Sequence, residues 1–182
     1  MSRPAPLLSA LVTVGALLAG CGSGAADPAS PFPERPADID VSTVDMCRAL
    51  TVGEQAELGV EPGEASTREL SNGPTRICGW INYDDGYSYG VQTIADGAVV
   101  AVGGADSTVD VLDGYGVVVE STDGTSMPLC TLYVDVSDVE AIRVQVRATK
   151  DDASGIPSFD TVCGRARDVA SKAIRNLGAA AP

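Results

Sequence analysis

The side chains with the most chemistry in this chain are its five cysteines, and their surroundings divide them into two sets. Cys21 follows Leu18-Ala19-Gly20 at the end of an apolar run, residues 7–18, interrupted only by Ser9, Thr13 and Gly15, with Arg3 ahead of it. That run is too short to span a bilayer, which takes ~20 apolar residues. It has the anatomy of a secretory signal: a basic start, an apolar middle and small residues at the cut. A thiol directly after those small residues is placed to receive diacylglycerol, so the mature chain is expected to begin at Cys21. Lipid on Cys21 would hold it at the extracytoplasmic face of the cell membrane. Cys47, Cys78, Cys130 and Cys163 are left, an even number. In an exported chain they read as two disulfides with three possible connectivities. No C-x-x-C pair is present and the chain has no histidine, so a zinc site is not expected.

The missing histidine also removes Ser-His-Asp and Cys-His catalysis. A Ser-Lys dyad would need Lys150 or Lys172, and neither has a serine three residues upstream. Carboxylates are plentiful: Asp84 beside Asp85, Asp151 beside Asp152, and the spaced Asp106, Asp110 and Asp113. Two such groups suffice for glycoside hydrolysis, which keeps a cell-wall-active hydrolase as the alternative reading. Their turn-like settings favour solvated surface, and the spacing of a calcium loop is absent. No metal, no cofactor and no catalytic residue is therefore expected. With 12 basic and 25 acidic residues the net charge is −13. Such a balance speaks against nucleic acid, whose phosphates require basic surface. It equally speaks against a polybasic grip on anionic lipid.

These residues need elements to position them. Residues 1–20 form the signal, and residues 21–40, rich in Gly, Ser, Ala and Pro, read as a semi-extended tether. A single domain is expected over 41–178, with a frayed tail at 179–182. Thr51 and Glu54 have capping-box spacing and predict a short helix over 52–58, closed by Gly59. A polar loop over 61–74 leads into a hairpin with arms 76–83 and 87–95, joined by the three-residue turn Asp84-Asp85-Gly86. In that register Gly90 faces Trp80, and Ile77, Gly79, Ile81 and Tyr83 share a face with Tyr87, Tyr89, Val91 and Thr93. Both faces then carry large apolar groups, so the hairpin is expected to be covered on both sides. Trp80 should pack beside a disulfide through Cys78. The aromatic group Trp80, Tyr83, Tyr87 and Tyr89 is the expected ligand or partner surface.

Residues 99–102 and 117–119 read as strands and Asp113-Gly114 as a turn. Alternation is clear over 129–136 and again over 142–148, giving a half-buried antiparallel pair. The last element is a helix capped by Ser158 or Asp160. Val162, Ala166, Val169, Ala170, Ala173, Ile174 and Leu177 lie on its inner face, and Gly178 closes it. The sum is an α+β domain: an antiparallel sheet with a short N-terminal helix and a longer C-terminal helix packed on it, and two disulfides. Because Cys47 and Cys163 sit at the two helices and Cys78 and Cys130 in strands, nested bridges Cys47–Cys163 and Cys78–Cys130 are expected.

Asp45, Cys47, Leu50 and Thr51 at a helix start, Cys78-Gly79-Trp80 in a strand, Cys130 opening Thr131-Leu132-Tyr133-Val134-Asp135-Val136, and Cys163 in an alanine-rich helix form a recognisable set. The set resembles the actinobacterial lipoprotein family labelled domain of unknown function 3558, over roughly residues 40–178. The resemblance implies location and fold type and brings no activity, ligand or catalytic residue. The functional expectation is a lipid-anchored, non-enzymatic envelope protein that binds a protein partner or a small apolar ligand.

Overall fold

The computed structural model describes residues 30–71, 73–122, 127–150 and 155–181. Cys21, the signal segment, Asp151 and Asp152 lie outside the described residues.

Seven strands form one antiparallel sheet: β1 (Glu64–Leu70), β2 (Gly73–Asn82), β3 (Tyr87–Ile94), β4 (Ser107–Leu112), β5 (Tyr115–Thr122), β6 (Leu129–Asp135) and β7 (Ala141–Ala148). Their order is β1-β2-β3-β7-β6-β5-β4, so two meanders, β1–β3 and β4–β7, meet where β3 pairs with β7. The connection from β3 to β4 crosses one face of the sheet through a 3-10 turn, η2 (Ala98–Ala101). The other face carries a first 3-10 turn, η1 (Met46–Ala49), over β2 and β3. It also carries the helix α2 (Phe159–Gly178), which lies over β6 and β7. The short helix α1 (Val52–Glu57) has the expected capping box between Thr51 and Glu54 and stops before Gly59, which sits at φ +63.

Alternation builds the main core. Cys78 and Trp80 on β2, Tyr87, Tyr89 and Val91 on β3, Val144 and Val146 on β7, and Leu132 and Val134 on β6 all point to the helix face. The inner stripe of α2, Val162 to Leu177 at helical spacing, closes over them, every one of its seven expected residues being buried. Each Å² of apolar surface removed from water in this contact stabilises the fold by ~25 cal/mol.

Both disulfide expectations are corrected: Cys47 joins Cys78 with Cα atoms 5.0 Å apart, and Cys130 joins Cys163 at 5.2 Å. Strand order supplies the reason. β2 and β6 are separated by β3 and β7, three steps of ~4.8 Å, so Cys78 and Cys130 lie well beyond the ~7 Å limit for a bridge. Each strand cysteine instead meets the element lying directly over its own strand. Trp80 does pack beside the bridge: its indole and the Cys78 sulfur both lie under Gly63.

The hairpin register is one residue away from the expected one. The turn takes four residues, 83–86, with Asn82 opposite Tyr87, Trp80 opposite Tyr89 and Gly79 opposite Gly90. The Asn82 side chain accepts the Asp85 amide and its carbonyl accepts Gly86, which adds the extra residue to the loop. Since side chains alternate with period two, a one-residue slip reverses which sets share a face. Tyr87, Tyr89 and Val91 therefore join Cys78 and Trp80 on the helix face. Residues 64–70, expected in a loop, form β1, and of residues 99–102, expected in a strand, 99–101 belong to η2.

The packed part of the chain reaches back before Val41. Within the stretch read as tether, residues 30–40 wrap the end of the sheet from one face to the other. Phe32 is buried with Ile94, Val118 and Ala141 on the η2 face, whereas Ile39 belongs to the core under α2. A Cβ on Gly116 would come within 2.6 Å of the Phe32 ring, and one on Gly114 within 2.8 Å of Pro36. The β4–β5 hairpin thus leaves a slot that only glycine permits. Arg35 fastens the strap by pairing with Asp38, Asp135 and Asp138, and these partners, Asp138 foremost, hold its guanidinium above its ordinary pKa despite burial. Arg76 secures the far end by donating to the carbonyls of Val41 and Ser42.

Candidate functional site

Half of the η2 face is uncovered. Phe32 and η2 lie over the β5–β6 side and reach the Ile94 end of β3, where Thr75 and Gln92 are buried as well, but Ile77, Gly79 and Ile81 of β2 and Ser88 and Gly90 of β3 stay open there, so the hairpin is covered on one face only over most of its length. The register sets two glycines side by side in the middle of this surface, Gly79 and Gly90. A Cβ on Gly90 would meet nothing within 4 Å, and one on Gly79 would touch only the Tyr89 carbonyl at 3.9 Å. Neither glycine is needed for its backbone angles, so their effect is to lower the floor. The result is an open groove of about 600 Å³. Ile77, Gly79 and Ile81 form its floor, Glu64 and Ser66 of β1 one wall, and Glu61, Pro62 and Tyr83 its end.

Beside the groove runs β1, the sheet edge, with all seven residues exposed. Its outer edge presents backbone N–H and C=O groups to solvent, and Glu64, Arg68 and Glu69 supply the charges that natural edges carry against self-aggregation. No arginine or lysine lines the groove, while Glu61 and Glu64 both do. Groove and edge together offer an extended chain backbone hydrogen bonds, apolar contact with Ile77, Ile81 and Tyr83, and two carboxylates.

The four aromatics expected to form one surface are divided by the sheet. Trp80 is 1 % exposed, and Tyr87 and Tyr89 are buried with it in the core on the helix face. Arg165 of α2 lies 4.0 Å over the Tyr87 ring and donates to the Tyr89 hydroxyl at 3.1 Å. Burial raises the Tyr89 pKa against the pull of Arg165. The two tyrosines bind the hairpin to α2 through Arg165, Trp80 packs at Gly63 beside the Cys47–Cys78 bridge, and only Tyr83, 70 % exposed, projects outward. Lys150 fixes that tip by donating to the Tyr83 carbonyl at 2.9 Å. The groove residues Ile77, Gly79 and Ile81 were placed by sequence on the same face as the tyrosines. Two glycines in otherwise bulky strands were the available signal of an open floor.

The carboxylates have separate settings. Asp110 pairs with Arg167 at 2.6 Å, and its pKa lies below the ordinary value through the Val111 amide and then Arg167. Asp85 faces Arg165, while Asp106 and Asp113 take left-handed turn positions at the two ends of β4. Asp40 and Glu140 line an open cleft of about 530 Å³ with Asp38, Ser42 and Ser137. Ser42 lowers the Asp40 pKa, while burial and then Asp40 raise that of Glu140. Glu140 accepts the Val41 amide there and so ties the end of the strap to the β6–β7 turn despite the nearby Asp40. Among the described residues no group of three His, Cys, Asp or Glu side chains is arranged to hold a metal ion. Nor is any described helix long and apolar enough to cross a membrane.

A family model described as Protein of unknown function (DUF3558) matches residues 16–176. No curated protein and no solved structure matches the chain.

Proposed function

We propose, for a chain that belongs to the DUF3558 family, a binding role: an exported protein, anchored through lipid on Cys21 at the outer face of the cell membrane, that captures an extended segment of a protein partner. The observation that carries this reading is the pairing of a fully exposed edge strand, β1, with the glycine-floored groove beside it. A peptide added to β1 gains main-chain hydrogen bonds from the edge, and alternate side chains fall over the sheet face. The side chains this surface favours are apolar, against Ile77, Ile81 and Tyr83, and basic, against Glu61 and Glu64. A small apolar ligand would be better served by an enclosed dry site, and the groove is open along its length. The sequence of the leader and Cys21 supports the anchor, and intact mass of the membrane-extracted protein tests it.

A defined peptide tests the binding role. An octapeptide alternating valine and lysine, titrated into isotope-labelled protein, is expected to shift the amide resonances of residues 64–70, 77, 79 and 81. The same composition interrupted by two prolines should leave them in place. Shifts scattered over the acidic surface, or equal for both peptides, would show charge attraction alone and remove the reading.

A further inference from the structure

We infer that the β4–β5 side of the η2 face is a lipid-contact surface, on which a set of exposed valines rests against the headgroup layer. The inference depends on the Cys21 anchor proposed above. Its basis is where the strap brings the chain and what surrounds that point. Phe32, in its slot over Gly116, is only eleven residues from Cys21, a distance of at most ~40 Å even when fully extended. A lipid on Cys21 therefore keeps this corner of the domain near the bilayer.

Exposed apolar residues gather at the same corner. Val99 and Val100 belong to η2, whose Ala98 and Ala101 pack in one cluster with Phe32. Val109 is paired with Val118 of that cluster, and Val111 with Gly116 under Phe32, so both stand on the same face. Val139 is exposed in the β6–β7 turn, whose Asp138 carbonyl abuts Gly97 at the start of η2. Five of the ten exposed large hydrophobic residues among those described thus border a single cluster. In a chain with net charge −13, such a grouping marks a contact site. Of the described basic residues near it, Arg35 is already committed to three aspartates, and Arg143 lies over the ring of Tyr133, which packs on the same cluster. Adhesion would accordingly be apolar, with no need of anionic lipid, and Asp106, Asp113 and Asp138 at the rim would oppose it. From β5 the groove on β2 is four strand spacings away along the same face, ~19 Å, so the two surfaces share no residue.

The test uses full-length protein acylated in its export host, with valine methyls labelled, in phosphatidylcholine nanodiscs carrying a headgroup spin label. Intact mass is measured first. Acylated protein is expected to lose more than half the methyl intensity of Val99, Val100, Val109 and Val111. Val52, exposed on α1, should keep its signal. Replacing Val99 and Val100 by Asp, both solvent-exposed, should restore the remaining signals at least twofold, and adding one third phosphatidylglycerol should do so partially. A mass lacking the acyl groups would bring down the anchor and this surface together. An acylated chain with Val52 broadened as strongly as the η2 valines, or with none broadened, would overturn the surface alone.

Discussion

Replacing Gly79 by Val separates the groove from the fold more cleanly than any other single change. The position faces outward between Ile77 and Ile81, with Gly90 across from it on β3 and Glu64 on β1. Its backbone is ordinary extended chain, and an added Cβ reaches only van der Waals distance from one carbonyl. Glycine in a strand interior forfeits roughly 0.5–1 kcal/mol to conformational entropy, and valine lies at the favourable end of a strand scale spanning ~1 kcal/mol. Nothing is displaced in exchange, so G79V should stabilise the protein by about 1 kcal/mol. For a chain of this size that raises Tm by about 2–4 °C. The two new methyl groups occupy the floor of the groove, and binding of the alternating valine–lysine peptide should fall at least tenfold. Urea unfolding and the amide titration, run on one sample, read both quantities. Destabilisation by more than 1 kcal/mol would mean that this face is packed rather than open. Unchanged peptide binding by a stable G79V would mean that the extended chain lies elsewhere.

Three further predictions concern the frame around the groove. Each disulfide closes a loop of just over thirty residues, which the chain-entropy relation values at about 3–4 kcal/mol. Paired Ala replacements at Cys47 and Cys78 should lower stability by that amount, and non-reduced peptide mapping should recover Cys47–Cys78 and Cys130–Cys163; a Cys47–Cys163 peptide would contradict the strand order. Gly116→Val should expel Phe32 and open residues 30–40 to protease and hydrogen exchange while α2 stays protected, and simultaneous loss of protection in α2 would show that the strap and core unfold as one unit. Glu54 is pushed up by burial but held lower overall by the Thr51 amide and hydroxyl, Asn176 and Lys172. Its contribution is therefore present above its unfolded value, near 4.5, and lost as pH falls through the lower folded value. Glu54→Gln should flatten the acid limb of the stability profile in that window, and an unchanged limb would exclude Glu54 as its source.

Local signals were legible wherever one residue pair or one stripe decides the outcome. Thr51 with Glu54, Ser158 as a cap, the alternation of β6 and β7 and the inner stripe of α2 all depend on neighbours within four residues. β1 was hidden because a strand exposed on both faces has no hydrophobic period to display. The hairpin register turned on one residue, Asn82, whose side chain accepts the Asp85 amide and whose main-chain carbonyl accepts the Gly86 amide, which lengthens the loop and exchanges the two faces. That exchange took Tyr87 and Tyr89 into the core and left Ile77, Gly79 and Ile81 outside. Disulfide pairing depended on strand order, which spacing along the chain does not encode. The strap escaped composition because its prolines look like a linker, whereas Phe32, Arg35 and Ile39 each hold a specific place on the sheet.

The central claim, that β1 and its groove receive an extended segment of another polypeptide, is tested most directly by photocrosslinking in intact cells. A photoreactive amino acid at Ile81, 39 % exposed in the groove floor, would be irradiated in the full-length protein, alone and together with G79V. The predicted result is one discrete polypeptide adduct, joined through a short segment of the partner and lost in the G79V background. An adduct that survives G79V unchanged, or products with lipid and water only, would contradict it.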